Sequence, residues 1–140
     1  MTKSTLSVEE AKNKSDLMAF IRFPWKIYKE DRNWVPPLIK DQLQKFSPLH
    51  PFRSHSEMIF FLAHQDGQMC GRIAGIIDHH YNEFHQEKTG FFGFFESVND
   101  REVAEALLLK VGGWLKEHGM EQMAGPMNPS TNDECGLLVE

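Results

Sequence analysis

The stretch "EMIFFLAHQDGQMCGRIAGII" (residues 57–77) constrains the fold more than any other part of the chain. Two apolar runs flank Gln65-Asp66-Gly67. Asp-Gly supplies the positive φ angles of a tight hairpin turn, so the two runs pair antiparallel. In the second run Met69, Gly71, Ile73, Gly75 and Ile77 share one face, and Cys70, Arg72, Ala74 and Ile76 share the other. Both faces are largely apolar, which puts this strand inside a sheet with helices above and below. Its glycines mark close packing or close backbone approach.

The rest of the chain supplies those partners. "STLSVEEA" alternates Leu6 and Val8 with polar neighbours, as a short strand does. Ser15 suits an N-cap for a helix that turns Leu17, Phe20 and Ile21 inward, and Pro24 should interrupt or restart that helix. Arg22, Lys26, Lys29 and Arg32 interleave with Phe23, Trp25, Tyr28 and Trp34, the pattern of an amphipathic helix with a solvated basic face. Pro37 suits a first helical position, and Ile39, Leu43 and Phe46 follow at helical spacing until Pro48 and Pro51.

"DHHYNEFH" reads as a loop whose His and carboxylate spacing is not that of a zinc helix. "KTGFFGFFES" is a long strand, with Phe91, Gly93 and Phe95 on one face and Phe92, Phe94 and Glu96 on the other. Asn99 and Glu102 form a capping pair for a long helix carrying Val103, Leu107, Val111 and Trp114. Gly112 and Gly113 cost that helix about 1 kcal/mol each against Ala, which points to an element packed against them. Gly119 suits the C′ position. Gln122–Met127 is a last strand, whose lateral pairing should fail near Pro126. Thr131-Asn132-Asp133-Glu134 has the form of a capping box that opens another helix.

At 140 residues the chain suits one domain, 1–140, with one core. The net charge of −5 argues against a non-specific nucleic-acid binder. No apolar run approaches the roughly 20 residues of a membrane helix. The N-terminal residues carry no apolar run of a secretory signal, so a cytoplasmic location is expected. Neither Cys70 nor Cys135 belongs to a CxxC pair, and free thiols are expected.

"FPWKIYKEDRNWVPPL", "GRIAGIID", "NEFH", "GFFGFFE" and "GPMNPSTNDECGLL", in this order of elements, resemble the Gcn5-related N-acetyltransferase (GNAT) superfamily. They resemble more closely a bacterial group of acetyltransferase-like proteins of unassigned substrate. The resemblance implies an α+β fold, a mixed and mostly antiparallel sheet flanked by helices. It covers the N-terminal part of that fold, without the helix and strands that would complete the sheet. It implies acyl transfer from acetyl-CoA or another acyl-CoA to a small-molecule amine. The acyl-CoA would lie where strands Phe91–Glu96 and Gln122–Met127 splay apart.

By position, Phe94 and Phe95 would bind the cofactor through main-chain groups. Asn128 and Asn132 are further cofactor-binding candidates. Asn82 and His85 lie toward the presumed substrate, and Glu96 is the candidate catalytic base. No metal is implied. The stretch "SVNDREVAEA" lacks the superfamily's glycine-rich phosphate loop, and Asp100 and Glu102 there oppose an anionic diphosphate. The strand Gln122–Met127, with Met120, Met123 and Met127 nearby, is expected as an open edge favouring self-association or a partner chain. A rival reading is a non-catalytic ligand-binding or scaffold module that uses this edge.

Overall fold

The computed structural model describes residues 5–128 and 134–135. In chain order the elements are β1 (Leu6–Glu10), α1 (Lys14–Tyr28), α2 (Ile39–Phe46), a 3-10 turn (Pro51–Ser54), β2 (Ser56–Gln65), β3 (Gln68–Asp78), α3 (His79–His85), β4 (Thr89–Ser97), α4 (Arg101–Glu117), β5 (Gln122–Ala124), β6 (Met127–Asn128) and β7 (Glu134–Cys135). Five strands form one sheet in the order β1-β2-β3-β4-β5, and β6 pairs with β7 in a separate two-stranded ladder. The fold class is α+β: β1 to β4 run antiparallel to their neighbours, and β5 joins β4 in parallel.

The hairpin forms as the sequence dictates. Asp66 and Gly67 take φ values of 53° and 81°, and Gln65 pairs with Gln68 across the turn. β3 lies at the centre of the sheet with a core on each face. On one side α1 and α2 cover Phe20, Ile21, Phe46, Phe60, Leu62, Ala74, Ile76, Phe91 and Phe94. On the other side α4 brings Val103, Leu107, Val111 and Leu115 onto Phe61, Ala63, Cys70, Ile73 and Ile77. Each fully buried aliphatic or Phe side chain contributes about 1.5–3 kcal/mol through removal from water.

Several local expectations are corrected. Asn13, not Ser15, caps α1, its side chain accepting from the Asp16 N–H at 2.8 Å. α1 continues through Pro24 without a break. Proline lacks the N–H that would bond to the carbonyl four residues back, which is that of Phe20. Arg72 Nη1 of β3 donates to that carbonyl at 2.7 Å, so the missing intrahelical bond is replaced from the sheet.

"DHHYNEFH" is a helix and not a loop, because the Asp78 carboxylate accepts from the His80 and Tyr81 N–H groups and Gln86 ends the turn at φ 56°. Asp100 caps α4 in place of Asn99. Gly119 does close α4: at φ 80° it lets Met120 N–H reach the Leu115 carbonyl at 3.0 Å.

Two bulges alter which side chains share a face. One lies between the Ala63 and His64 rungs of β2–β3, and it puts Cys70 on the α4 side and Met69 on the α1 side. Burial raises the pKa of the Cys70 thiol. The second bulge is in β4 and shapes the candidate site. The C-terminal end also differs in part from expectation. β5 stops at Ala124 and, among the described residues, is the exposed edge strand of the sheet with Met123 40% exposed, as expected, but Met127 is buried with 4% exposure, and Glu134–Cys135 pair with β6 as a strand instead of opening a helix. Thr131, Asn132 and Asp133 lie outside the described residues.

Among the described residues no element packs on Gly112 or Gly113; a Cβ at either would meet open space. The close approach occurs at strand glycines. A Cβ at Gly90 would land on the Leu115 side chain, which is itself buried. Gly113→Ala is therefore expected to stabilise the chain by about 1 kcal/mol through helix propensity. Gly90→Ala is expected to destabilise it by about 1–3 kcal/mol through overpacking. Denaturant melts of both variants check this, and two shifts of the same sign would contradict the packing described.

Candidate functional site

β4 pairs with β3 through Ile76↔Phe91, Gly75↔Phe92 and Ala74↔Gly93, and then through Arg72↔Glu96. Phe94 and Phe95 both stand opposite Ile73, so β4 carries one extra residue there, a β-bulge. Phe94 holds it at φ 51°. A positive φ is uncommon for a bulky residue and costs on the order of 1–3 kcal/mol, which surrounding packing must offset. The Phe94 ring is buried, edge-on to Phe46 at 4.7 Å and to Phe20 at 6.4 Å. The bulge breaks the period-two alternation expected from sequence. Phe94 now joins Phe91 on the α1 side, and Phe92 and Phe95 pack toward α4.

Glu96 lies two residues beyond the bulge, within reach of α1. Tyr28, the last residue of α1, donates its hydroxyl to Glu96 Oε2 at 2.7 Å. The Tyr28 ring stacks on Trp34 with centroids 5.3 Å apart and planes inclined by 25°. Trp34 in turn meets Trp25 edge-on at 5.3 Å. Across the ladder from Glu96, Arg72 is 6% exposed, and its guanidinium sits over the Phe20 ring at 4.8 Å and the Phe94 ring at 6.0 Å. Arg72 Nε is buried with no hydrogen-bond partner among the described residues.

Burial sets the electrostatics. It raises the Glu96 pKa above the usual carboxylate value, and the Tyr28 hydrogen bond and the Arg72 charge pull it part of the way back. Burial, followed by donation to Glu96, pushes Tyr28 up to about 12, so its hydroxyl stays protonated and able to donate. Desolvation lowers Arg72 to about 10, which leaves it cationic at neutral pH. The cluster therefore holds one carboxylate with an elevated proton affinity, a fixed hydroxyl donor and a buried cation.

The β4–β5 ladder is short. Thr89↔Gln122, Gly90↔Met123 and Phe91↔Ala124 pair in parallel, and then β5 ends while β4 runs on to Ser97. The chain leaves through Gly125, where a Cβ would stand 2.5 Å from the Phe92 carbonyl oxygen, and Met127 joins the α1-side core. Beyond Phe91 the β4 edge thus carries no rung to β5, next to the bulge, although Met127–Asn128 still lies close to β4. An extended, amide-bearing pantetheine arm fits such an edge.

The diphosphate end of an acyl-CoA fits less well. The first turn of α4 already holds a carboxylate, since Asp100 Oδ1 accepts from the Glu102 N–H at 2.9 Å, and Glu102 adds a second acid. A cavity of about 720 Å³ opens beside this turn, lined by Lys26, Ser97, Asn99, Asp100 and Arg101 among others. Its cations are engaged: Lys26 Nζ donates to the Met69 carbonyl at 2.9 Å, and Arg101 Nε to Glu105 Oε1 at 2.8 Å.

The other sequence candidates lie elsewhere. Asn82 Nδ2 donates to the Thr89 carbonyl at 3.0 Å, and Asn82 Oδ1 accepts from the Thr89 N–H at 2.9 Å, so its amide clips α3 to the start of β4. His85 packs on Tyr81 at 4.2 Å and Phe84 at 5.0 Å. Both sit at the Thr89 end of β4, roughly 20 Å from Glu96 at about 3.3 Å per residue. The structure does not bring them to the carboxylate. Phe94 and Phe95 form the bulge, the Asn128 backbone pairs with Glu134, and Asn132 lies outside the described residues. Among the described residues no group of three or more His, Cys, Asp or Glu could hold a metal ion. Sequence reasoning missed Tyr28 and Arg72 as parts of the site, although an arginine inside an apolar strand is itself a signal.

No family model matches the chain. It is 38% identical over 128 residues to Protein YghO of Escherichia coli, covering 91% of this chain and 33% of that protein. It is 34% identical over 140 residues to the bacterial ceramide synthase of Caulobacter vibrioides, covering 99% of this chain and 36% of that protein. The chain thus spans about a third of the length of the curated relatives it matches. Among solved structures it superposes on the aminoglycoside N-acetyltransferase AAC(6')-Iy in complex with CoA with a TM-score of 0.64 at 16% identity, covering 99% of this chain and 95% of that one. The mixed sheet, its bulged fourth strand and the short parallel pairing that follows give this chain the fold of the Gcn5-related N-acetyltransferases.

Proposed function

We propose that this domain serves N-acyl transfer from an acyl-CoA thioester to an amine, with Glu96 as the base. The observation that carries the reading is the bulged, released edge of β4 ending on a half-buried carboxylate. The fold supports acyl-CoA-dependent transfer in general, and the CoA complex of the structural neighbour supports a thioester donor. Two of the three named comparisons point to chemistry at nitrogen: one is an aminoglycoside N-acetyltransferase, and a ceramide is an N-acylated long-chain amino alcohol. The greater sequence similarity to the ceramide synthase favours a long-chain amine acceptor.

A bound acyl-CoA supplies an activated carbonyl and a thiolate leaving group. The residues of this chain supply position and proton handling. The edge of β4 beyond Phe91 holds the extended arm. An amine that attacks a thioester must first lose its ammonium proton. Glu96 has an elevated proton affinity in its half-buried setting, which suits removal of that proton near neutral pH. Tyr28 occupies Oε2, so Oε1 takes the ammonium proton; as the new C–N bond forms and the C–S bond breaks, the remaining extra nitrogen proton passes to the departing thiolate. Arg72 stays charged and keeps the carboxylate able to ionise despite its burial.

Transfer is tested by thiol release with acetyl and long-chain acyl donors against aminoglycoside and sphingoid amines. Glu96→Gln is expected to retain donor binding and to lose about 10²-fold or more in transfer rate. Transfer at the unaltered rate would remove Glu96 from the mechanism. Because the first turn of α4 is occupied by its own carboxylates, S-acetyl-pantetheine should bind within a few-fold of acetyl-CoA, with little salt dependence. Calorimetry showing a hundredfold preference for the nucleotide donor would contradict that assignment.

A further inference from the structure

We infer that Tyr28, held by Trp34, is a positioning residue that fixes the Glu96 carboxylate and sets the pH at which it can act. The inference rests on the reading of Glu96 as the base, and the geometry that supports it is separate from that reading. Tyr28 is the last residue of α1, and Glu96 stands at the far end of β4, 68 residues on. The hydroxyl meets Oε2 at 2.7 Å, the short contact of a hydroxyl donating to a charged oxygen.

Nothing in the packing of α1 requires a polar tip at this point. The other inward-facing residues of α1 are apolar: Leu17, Phe20, Ile21, Phe23 and Pro24. The phenol ring is held from its other side by Trp34, and Trp34 by Trp25 of the same helix. The segment between α1 and α2 is thereby folded back over the helix end by three aromatic rings. Asp31 N–H bonds to the Tyr28 carbonyl at 2.9 Å and tightens the same turn. A side chain placed only to fill space would need none of these constraints on the direction of its hydroxyl.

Among the described residues, the titratable and charged groups facing Glu96 are Tyr28 from α1 and Arg72 from β3. Both favour the ionised carboxylate, and burial opposes them. Removing the Tyr28 donor leaves burial less opposed, so the Glu96 carboxyl holds its proton to higher pH. A base must be deprotonated to act. The acidic limb of the rate profile therefore moves to higher pH in Tyr28→Phe, and rate returns once the pH exceeds the new limb. Trp34→Ala, which frees the ring without removing the hydroxyl, moves the limb in the same direction by less. Trp34→Phe, which can still stack, restores it toward the wild-type position.

The test titrates the Glu96 carboxyl carbon by NMR in ¹³C-glutamate-labelled protein, assigned with Glu96→Gln, alongside the pH–rate profile. The expected result is a higher titration midpoint in Tyr28→Phe and the matching shift of the acidic limb. An unmoved midpoint, or a rate loss uniform across pH, overturns the inference whether or not the chain transfers acyl groups. A raised midpoint in a chain whose wild type shows no transfer leaves Tyr28 in control of Glu96 and overturns the assignment of Glu96 as base.

Discussion

The hydrogen bond from Arg72 to the Phe20 carbonyl is the contact on which the rest of this face depends. Pro24 leaves that carbonyl without its helical donor, and a buried orphan carbonyl costs about 1–3 kcal/mol. Arg72 reaches out of β3 and meets it at 2.7 Å. A buried guanidinium is itself costly. Its cost is offset by the carbonyl, by the faces of Phe20 and Phe94, and by Glu96 across the ladder. One side chain thus ties α1 to the sheet at a defined point. Tyr28, about two turns further along the helix, is thereby placed over the end of β4.

The bulge supplies the second half of the arrangement. In an unbroken strand Phe94 and Glu96 would lie on the face opposite Phe91. With the extra residue, Phe91, Phe94 and the Glu96 carboxylate all address α1, while Phe92 and Phe95 serve the α4 core. The backbone strain at Phe94 is retained because its ring is locked among Phe20 and Phe46. Beyond the bulge, β4 has no rung with β5. The same strand therefore pairs with β5 at Thr89–Phe91 and has no rung to β5 near the carboxylate.

Much of this fold was legible because it is local. Asp66-Gly67 dictates its turn, Gly119 dictates its cap, and the two apolar faces of β3 place it centrally. Glu96 stood out in the sequence as an acid closing an apolar strand. What was not legible is non-local. Pro24 signals a helix break unless a donor arrives from 48 residues away, and nothing near Pro24 announces Arg72. A positive φ at Phe94 has no signature in a run of phenylalanines. Gly112 and Gly113 suggested a packed neighbour, but the tight contacts fall on strand glycines whose partners come from α4. That the Asn82 amide clips α3 to β4 is visible only once Thr89 is placed beside it.

In the proposed function a thioester arm lies along β4 beyond Phe91, with Glu96 at its end. Backbone amide mapping by ¹H–¹⁵N NMR during titration with S-acetyl-pantetheine tests this most directly. The account predicts shifts that run through Phe92–Ser97 and extend to Tyr28. Shifts confined to the opposite end of β4, around Asn82, Lys88 and Glu121, would contradict it.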